Sequence, residues 1–308
     1  MVDSRAGRPR GDRAGPRRRA DPPPRGRASR AAGGGPAAVS ALSRARFAEA
    51  VRRQPDHLDE ALLLLAAETH PEPLDEPGLH SWLERGRAAL DELAAAVPEA
   101  GRPDERLRAV LGSFGGSALD YQRLDASLLP AVLESRRGLP ILLSTVWTEV
   151  ARRAGIAAYG VGLPGHFVVG VGDPDADRVL VDPFDGGRLL PYDRARRYAD
   201  EAGVTLRAHH LRPHDPVATV ARVLGNIVAW AATPDRVRTR LWALDLTLLL
   251  PHHDLAVRGR RGETLVTLGR WAEGAAELHA YAEVVADRWP LEAERVRRIA
   301  REAHARLN

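Results

Sequence analysis

The sequence predicts an α+β protein in which a small antiparallel sheet is flanked by helical segments. Three observations carry this expectation. Apolar residues recur at the helical period between about Ser40 and Phe114. Short strand-like runs between residues 120 and 210 are interrupted by an Asp- and Gly-rich stretch of the kind that closes hairpins. From Val217 onward the helical period returns.

On composition the chain divides into residues 1–38, 39–119, 120–212 and 213–308. The first segment holds Arg, Pro, Gly and Ala with hardly an apolar side chain, so it is expected to be disordered. Residues 1–36 contain ten Arg and three Asp, a net of +7, which leaves 35 Arg and 38 acidic residues elsewhere, a net of −3. All 45 basic residues are arginine. Basicity therefore belongs to the tail, and nucleic acid is an unfavoured partner except through that arm. The bland readings of the tail are a solvated extension, or upstream sequence translated from an early start codon.

In residues 39–119, Leu58, Ala61, Leu62 and Leu65 share one helical face. Leu79, Leu83, Gly86, Leu90, Leu93 and Val97 continue that spacing, and Pro71, Pro73, Pro77, Pro98 and Pro103 punctuate a small bundle. His57, His70 and His80 share no ligand spacing and read as surface or packing histidines.

Within residues 120–212 a helix is predicted over Ile141–Ala154, stopped by Gly155. Strands are predicted at Ala157–Gly162, His166–Val171 and Arg178–Asp182, with Gly172–Ala176 as the hairpin loop. A helix at Tyr192–Ala202 and a strand at Val204–His210 complete the unit. Beyond it, Val257–Pro290 is 34 residues long and contains Leu268-Gly269-Arg270-Trp271, then Ala275 and Tyr281. That is close to a tetratricopeptide helix–turn–helix pattern. Val217–Pro251 is a degenerate unit of similar length, and Val296, Ile299, Ala300, Ala303 and Leu307 outline a capping helix.

The chain has no cysteine, which removes disulfides, thiolate metal sites and thiol nucleophiles together. No stretch approaches the ~20 apolar residues of a membrane helix, and the N-terminus lacks the apolar region of a secretory signal. A cytoplasmic protein without a membrane partner, cofactor or metal is expected.

Four segments occur in order: Leu133-Glu134-Ser135-Arg136-Arg137-Gly138-Leu139-Pro140, Glu149-Val150-Ala151-Arg152-Arg153-Ala154-Gly155-Ile156, Gly160-Val161-Gly162-Leu163-Pro164-Gly165-His166-Phe167 and Val181-Asp182-Pro183-Phe184-Asp185-Gly186-Gly187. Together they resemble the SirB-type branch of the transglutaminase-like superfamily, over roughly residues 42–290. The resemblance implies a papain-like core behind an N-terminal helical bundle, with tetratricopeptide-like hairpins following it. Active members use a Cys at the start of the core helix, a His on the next strand and an Asp on the strand after. The matching positions are Pro140 (to within a residue), His166 and Asp182.

Amide acyl transfer needs a thiolate activated by an imidazole, and Pro140 has no nucleophilic atom. Proline suits the first turn of a helix, where its missing N–H costs nothing. Ser144 lies one turn deeper, about 6 Å along the axis, and reads chiefly as a small residue between helix and sheet. Ser144 is the alternative nucleophile, for a serine- or water-dependent hydrolase or acyltransferase with His166 and Asp182. A five-residue loop at Gly172–Ala176 would set His166 directly opposite Asp182 on one sheet face, Cβ atoms roughly 5 Å apart. A four-residue loop would separate them onto opposite faces. The pair then serves either as a ligand-binding remnant of the triad or as a buried polar pair fixing the hairpin.

The Gly160–Gly165 run lacks the Lys and helix of a phosphate loop. His209 and His210, adjacent on a strand, would face opposite ways and could not share a metal. Asp254, after His252-His253, reads as a helix cap. The function expected is non-catalytic binding or regulation with a protein or peptide partner.

Overall fold

The computed structural model describes residues 41–53 and 58–307. The expectations for residues 1–38 and for His57 lie outside the described residues.

The chain opens with α1 (Ala41–Arg52), α2 (Leu58–Ala67), α3 (Glu76–Ala95) and α4 (Pro103–Leu111). Asp59 and Glu60 in the first turn of α2 complement its dipole. Leu62, Leu63, Leu64 and Leu65 are all buried, so α2 is enclosed on every side and not only along one face. Asp75 caps α3, accepting the Gly78 N–H at 2.9 Å, and Leu79, Leu83, Gly86 and Leu90 form its buried stripe. A Cβ on Gly86 would overlap Leu63, so the glycine sets the close approach of α3 to α2. The buried Glu68 carboxylate joins three elements, accepting from Ser43 Oγ, Arg44 Nε and Trp242 Nε1 at 3.1 Å each.

Next come α5 (Leu129–Ser135) and α6 (Pro140–Arg153). Nearly all of α6 is buried, from Pro140 through Ala151. Its far end is held by Arg153, which pairs with Asp59, Asp91 and Glu149 at 2.6, 2.7 and 2.6 Å.

Strands β1 (Ala158–Val161), β2 (Val168–Gly172), β3 (Arg178–Asp182) and β4 (Arg188–Leu189) make one antiparallel sheet in sequential order. The hairpin loop has five residues, but they are 173–177, because Gly172 pairs with Arg178. This corrects the expected register. By continuation of the pairing Asp182 lies opposite Val168, and His166 precedes β2 by two residues. A shift of two preserves parity, so His166 and Asp182 stay on the same face as diagonal neighbours.

Val169, Val171 and Val181 join the main core with α6, whereas Val161 and Val168 face the other way. That second face is covered by α7 (Tyr192–Glu201) through Ala195 and Ala199. Strand β4 is too short to leave an alternating pattern. The strand expected at Val204–His210 does not form. Gly203 turns the chain at φ +71°, and a 3₁₀ turn runs from Ala208 to Leu211.

Five helices follow: α8 (Pro216–Trp230), α9 (Val237–Thr247), α10 (Ala256–Thr267), α11 (Trp271–Val285) and α12 (Pro290–Ala305). Ala275, Leu278, Tyr281, Val296 and Ala300 build a separate apolar cluster between α11 and α12. Asp254 accepts the Ala256 N–H at 2.9 Å ahead of α10. The last helix stops before Leu307, which is exposed. Among the described residues no helix is long and apolar enough to cross a membrane.

Candidate functional site

The site begins with a turn between β1 and β2. The His166 N–H donates to Leu163 O at 3.2 Å, and Gly165 supplies a φ of +75°. Glycine is needed there twice over, since a Cβ would sit 3.1 Å from Tyr198 O and 3.2 Å from the Ala202 Cβ. The turn is stapled from α8 by Arg222. Its Nη2 donates to His166 O at 2.9 Å, and both terminal nitrogens reach Leu163 O at 3.3 Å. Arg222 also stands over the Phe167 ring at 5.3 Å.

His166 is 6% exposed and Asp182 1%. The imidazole Nε2 donates to both carboxylate oxygens at 3.0 Å. Asp182 also accepts from Tyr198 Oη at 3.2 Å and from the Phe184 N–H at 3.1 Å, the latter starting a 3₁₀ turn. Burial pushes the Asp182 carboxyl up. The donors from His166, Tyr198 and Phe184 together outweigh it, so its pKa lies below the ordinary value. Tyr198 is pushed up, first by burial and then by the Asp182 charge. The imidazole is fixed by packing as well, stacked on Tyr198 at 4.2 Å and edge-on to Phe184 at 5.9 Å.

A carboxylate on Nε2 keeps a proton at that nitrogen and turns Nδ1 away from the pair. Nδ1 makes no hydrogen bond to any described residue, which leaves it as the ring nitrogen open to a ligand.

Pro140 is buried in the first turn of α6, behind the N-cap Leu139. Ser144 is 0% exposed, and its hydroxyl approaches Phe167 O at 3.4 Å. No hydrogen bond joins it to His166. The structure thus brings His166 and Asp182 together and leaves Ser144 outside the pair.

The family model described as "Transglutaminase-like superfamily" matches residues 84–225. UPF0162 proteins from two Xylella fastidiosa strains, Temecula1 and 9a5c, are each 30% identical to the chain over 233 residues, covering 72% of it and 82% of the relative. A UPF0162 protein of Pseudomonas aeruginosa is 33% identical over 189 residues, covering 58% of this chain and 66% of the relative. The chain belongs to the transglutaminase-like superfamily. No solved structure matches it.

In this transglutaminase-like protein a cleft of about 440 Å³ lies beside the N-terminus of α6, lined by Tyr121, Leu139, Asn226, Trp230, Thr233 and Arg236. Tyr121 connects the cleft to the His–Asp pair, its ring 6.2 Å from Phe184. The Tyr121 pKa is raised, chiefly by burial, with Arg222 lowering it and Asp182 raising it. Trp230 Nε1 at the cleft is buried without a partner, and Arg236, which donates to Trp230 O at 3.1 Å, lies over the same indole at 4.1 Å.

Sequence reasoning missed Tyr121, Phe184, Tyr198 and Arg222 as site residues. Arg222 carried a legible signal, being the one charged residue in the fifteen-residue α8. Tyr198 carried none, since its helix is rich in charge and its role depends on the sheet beneath. His214 was also passed over; its Nδ1 pairs with Thr219 Oγ1 at 2.9 Å, and burial with Arg222 lowers its pKa.

The expectation for His209 and His210 is corrected. With no strand there, their rings lie 4.0 Å apart, and His210 Nδ1 accepts the Arg207 N–H. Among the described residues no group of three or more His, Cys, Asp or Glu side chains could hold a metal ion.

Proposed function

We propose that this chain is a non-catalytic binding or regulatory protein of the SirB-type branch that engages a protein or peptide partner. The observation that carries this reading is a contrast inside one site. His166 and Asp182 are aligned by packing and hydrogen bonds, while the nucleophile's position holds the buried Pro140 and the chain has no cysteine. Ser144 offers no substitute, because a serine nucleophile needs an adjacent base and an open approach. Binding needs neither. A cleft mixing aromatic walls with a few polar groups suits an extended peptide. In the same reading residues 39–119 form a helical support and residues 120–212 the core. Residues 213–308 form tetratricopeptide-like hairpins that add a second docking surface.

One observation favours a second reading, a hydrolase or acyltransferase. Nδ1 makes no hydrogen bond to a described residue, so a water bound there would be activated by the imidazole without a thiol. Incubation with glutamine-containing peptides, amine donors and esters separates the two. No turnover is expected from the wild type. Turnover lost in Ser144→Ala would install a serine enzyme, and turnover that survives Ser144→Ala but is lost in His166→Ala an activated water.

A further inference from the structure

Two sequence segments contain arginines that the His166–Asp182 pair does not use. Arg136 and Arg137 precede α6, and Arg188 follows the Gly186-Gly187 turn. Arg137 and Arg188 line a separate cavity of about 330 Å³ together with Arg108, Ser113, Asp185 and Gly186, and Arg136 reaches Ser113 on its wall. Residues 112–116 form one wall and are stitched to both segments. The Gly115 N–H donates to Arg136 O, and the Gly116 N–H to Phe184 O, each at 3.0 Å. A Cβ on Gly116 would overlap the Phe184 ring, so the backbone itself makes this wall.

The charge around the cavity is unbalanced. Arg137 pairs with Asp120 at 2.8 Å, and Arg188 and Arg194 share Asp185 at 3.3 and 3.1 Å. Arg108 has no carboxylate partner among the described residues. Neither has Arg136, which donates to Ser113 Oγ at 2.9 Å. Three guanidinium groups thus line the cavity with one carboxylate, while Arg136, Arg194 and Asp120 stand behind them. Gathering like charges around a concavity is unfavourable on its own and is relieved by an anion. Planar guanidinium forks match an anion with several acceptor oxygens.

The backbone beside the cavity has one unusual position. Arg136 closes α5 at φ +57° and ψ 21°, the one positive φ among the described non-glycine residues. Glycine is the unstrained residue at such a helix end. The arginine side chain held there donates to Ser113 on the cavity wall.

We propose that this cavity binds a phosphoryl group, either as a free anion or as a monoester on a small molecule. The inference is independent of the peptide-cleft reading, since it shares none of the cleft residues. The test is the melting temperature of the full chain titrated with inorganic phosphate, pyrophosphate or phenyl phosphate, against sodium chloride at matched ionic strength. Arginines that bind anions equally in the folded and unfolded chain do not shift the transition, so a rise reports a folded site. A saturable rise with at least one phosphate probe, absent with chloride, is expected. Saturation by inorganic phosphate would identify a free anion, and saturation by phenyl phosphate alone a carried group. The Arg108→Ser/Arg188→Gln double variant alters exposed side chains and should need at least tenfold more of the same probe. Arg136→Gly, whose backbone suits its conformation, should weaken binding while keeping the fold. No saturable rise with any probe, an equal rise with chloride, or wild-type saturation in both variants would overturn the proposal.

Discussion

Removing the charge of Asp182 tests whether the buried pair organises the core. Three donors converge on this carboxylate: His166 Nε2, Tyr198 Oη and the Phe184 N–H. Hydrogen bonds to an ionised acceptor contribute about 1.5–3 kcal/mol and neutral ones about 0.5–1.5. Asp182→Asn keeps the shape but only one acceptor oxygen, so the bonds to that oxygen weaken and a donor on the other loses its acceptor, at a cost of about 3 kcal/mol. Asp182→Ala strands the donors, and breaking a buried charged pair costs about 3–5 kcal/mol. For a folded body of this size 1 kcal/mol moves the melting temperature by about 2–4 °C, so the alanine variant should lose roughly 6–20 °C. The pH dependence has a definite sign. The folded pKa of Asp182 is depressed, so its contribution is complete above the unfolded value of about 3.9 and is lost as pH falls from there through the folded value. Circular dichroism melts of wild type and Asp182→Asn should therefore differ at neutral pH and converge below about pH 4. Superimposable neutral melts, or a gap that stays constant into that acid range, would refute the account.

Two further outcomes follow from neighbouring groups. Arg222→Leu removes three bonds to the carbonyls of Leu163 and His166, and is expected to cost about 2–3 kcal/mol in urea unfolding with faster proteolysis of the β1–β2 turn; an unchanged midpoint and cleavage rate would show that the turn holds itself. Burial raises the Glu68 pKa despite Arg44, so its ionised form opposes folding, and the stability associated with its neutral form is lost as pH rises from the ordinary value through the folded one. Glu68→Gln should melt no lower than wild type at neutral pH and lack that slope, whereas a clear drop would mean that the Arg44 pairing outweighs the burial.

Much of this arrangement was legible in the sequence, because its signals were local. The stripe Leu79, Leu83, Gly86 and Leu90 obeys the helical period, and the strand Arg178–Asp182 is bounded by its own turn residues. The hairpin register was legible only in parity. Five loop residues can be taken at 172–176 or 173–177, and sequence alone does not say whether Gly172 still pairs. The false strand at Val204–His210 shows the opposite error. Val204 and Leu206 alternate as a strand would, but no sheet edge accepts them, and Leu206 instead packs on the α7 side of the sheet. Tyr198 and Arg222 reach the site from separate helices, and only the tertiary fold brings them to the turn at His166.

The His–Asp pair has a structural explanation that needs no chemistry, and this bears on how its presence should be weighed. Once a carboxylate is buried at the end of β3, it must keep its donors, because losing any one leaves charge unsatisfied in a poorly solvated place. His166, Tyr198 and the Phe184 N–H meet that requirement whether or not a nucleophile stands at residue 140. Pro140 in turn meets the local requirement of a buried helix start, where a missing N–H is harmless. The site's geometry can therefore outlast its covalent chemistry, and the pair alone does not argue for catalysis. Nδ1 of His166 is the atom that the structural explanation leaves unused. A ligand that perturbs its NMR resonance without turning over would assign that atom to binding, whereas turnover abolished by His166→Ala would assign it to activating water.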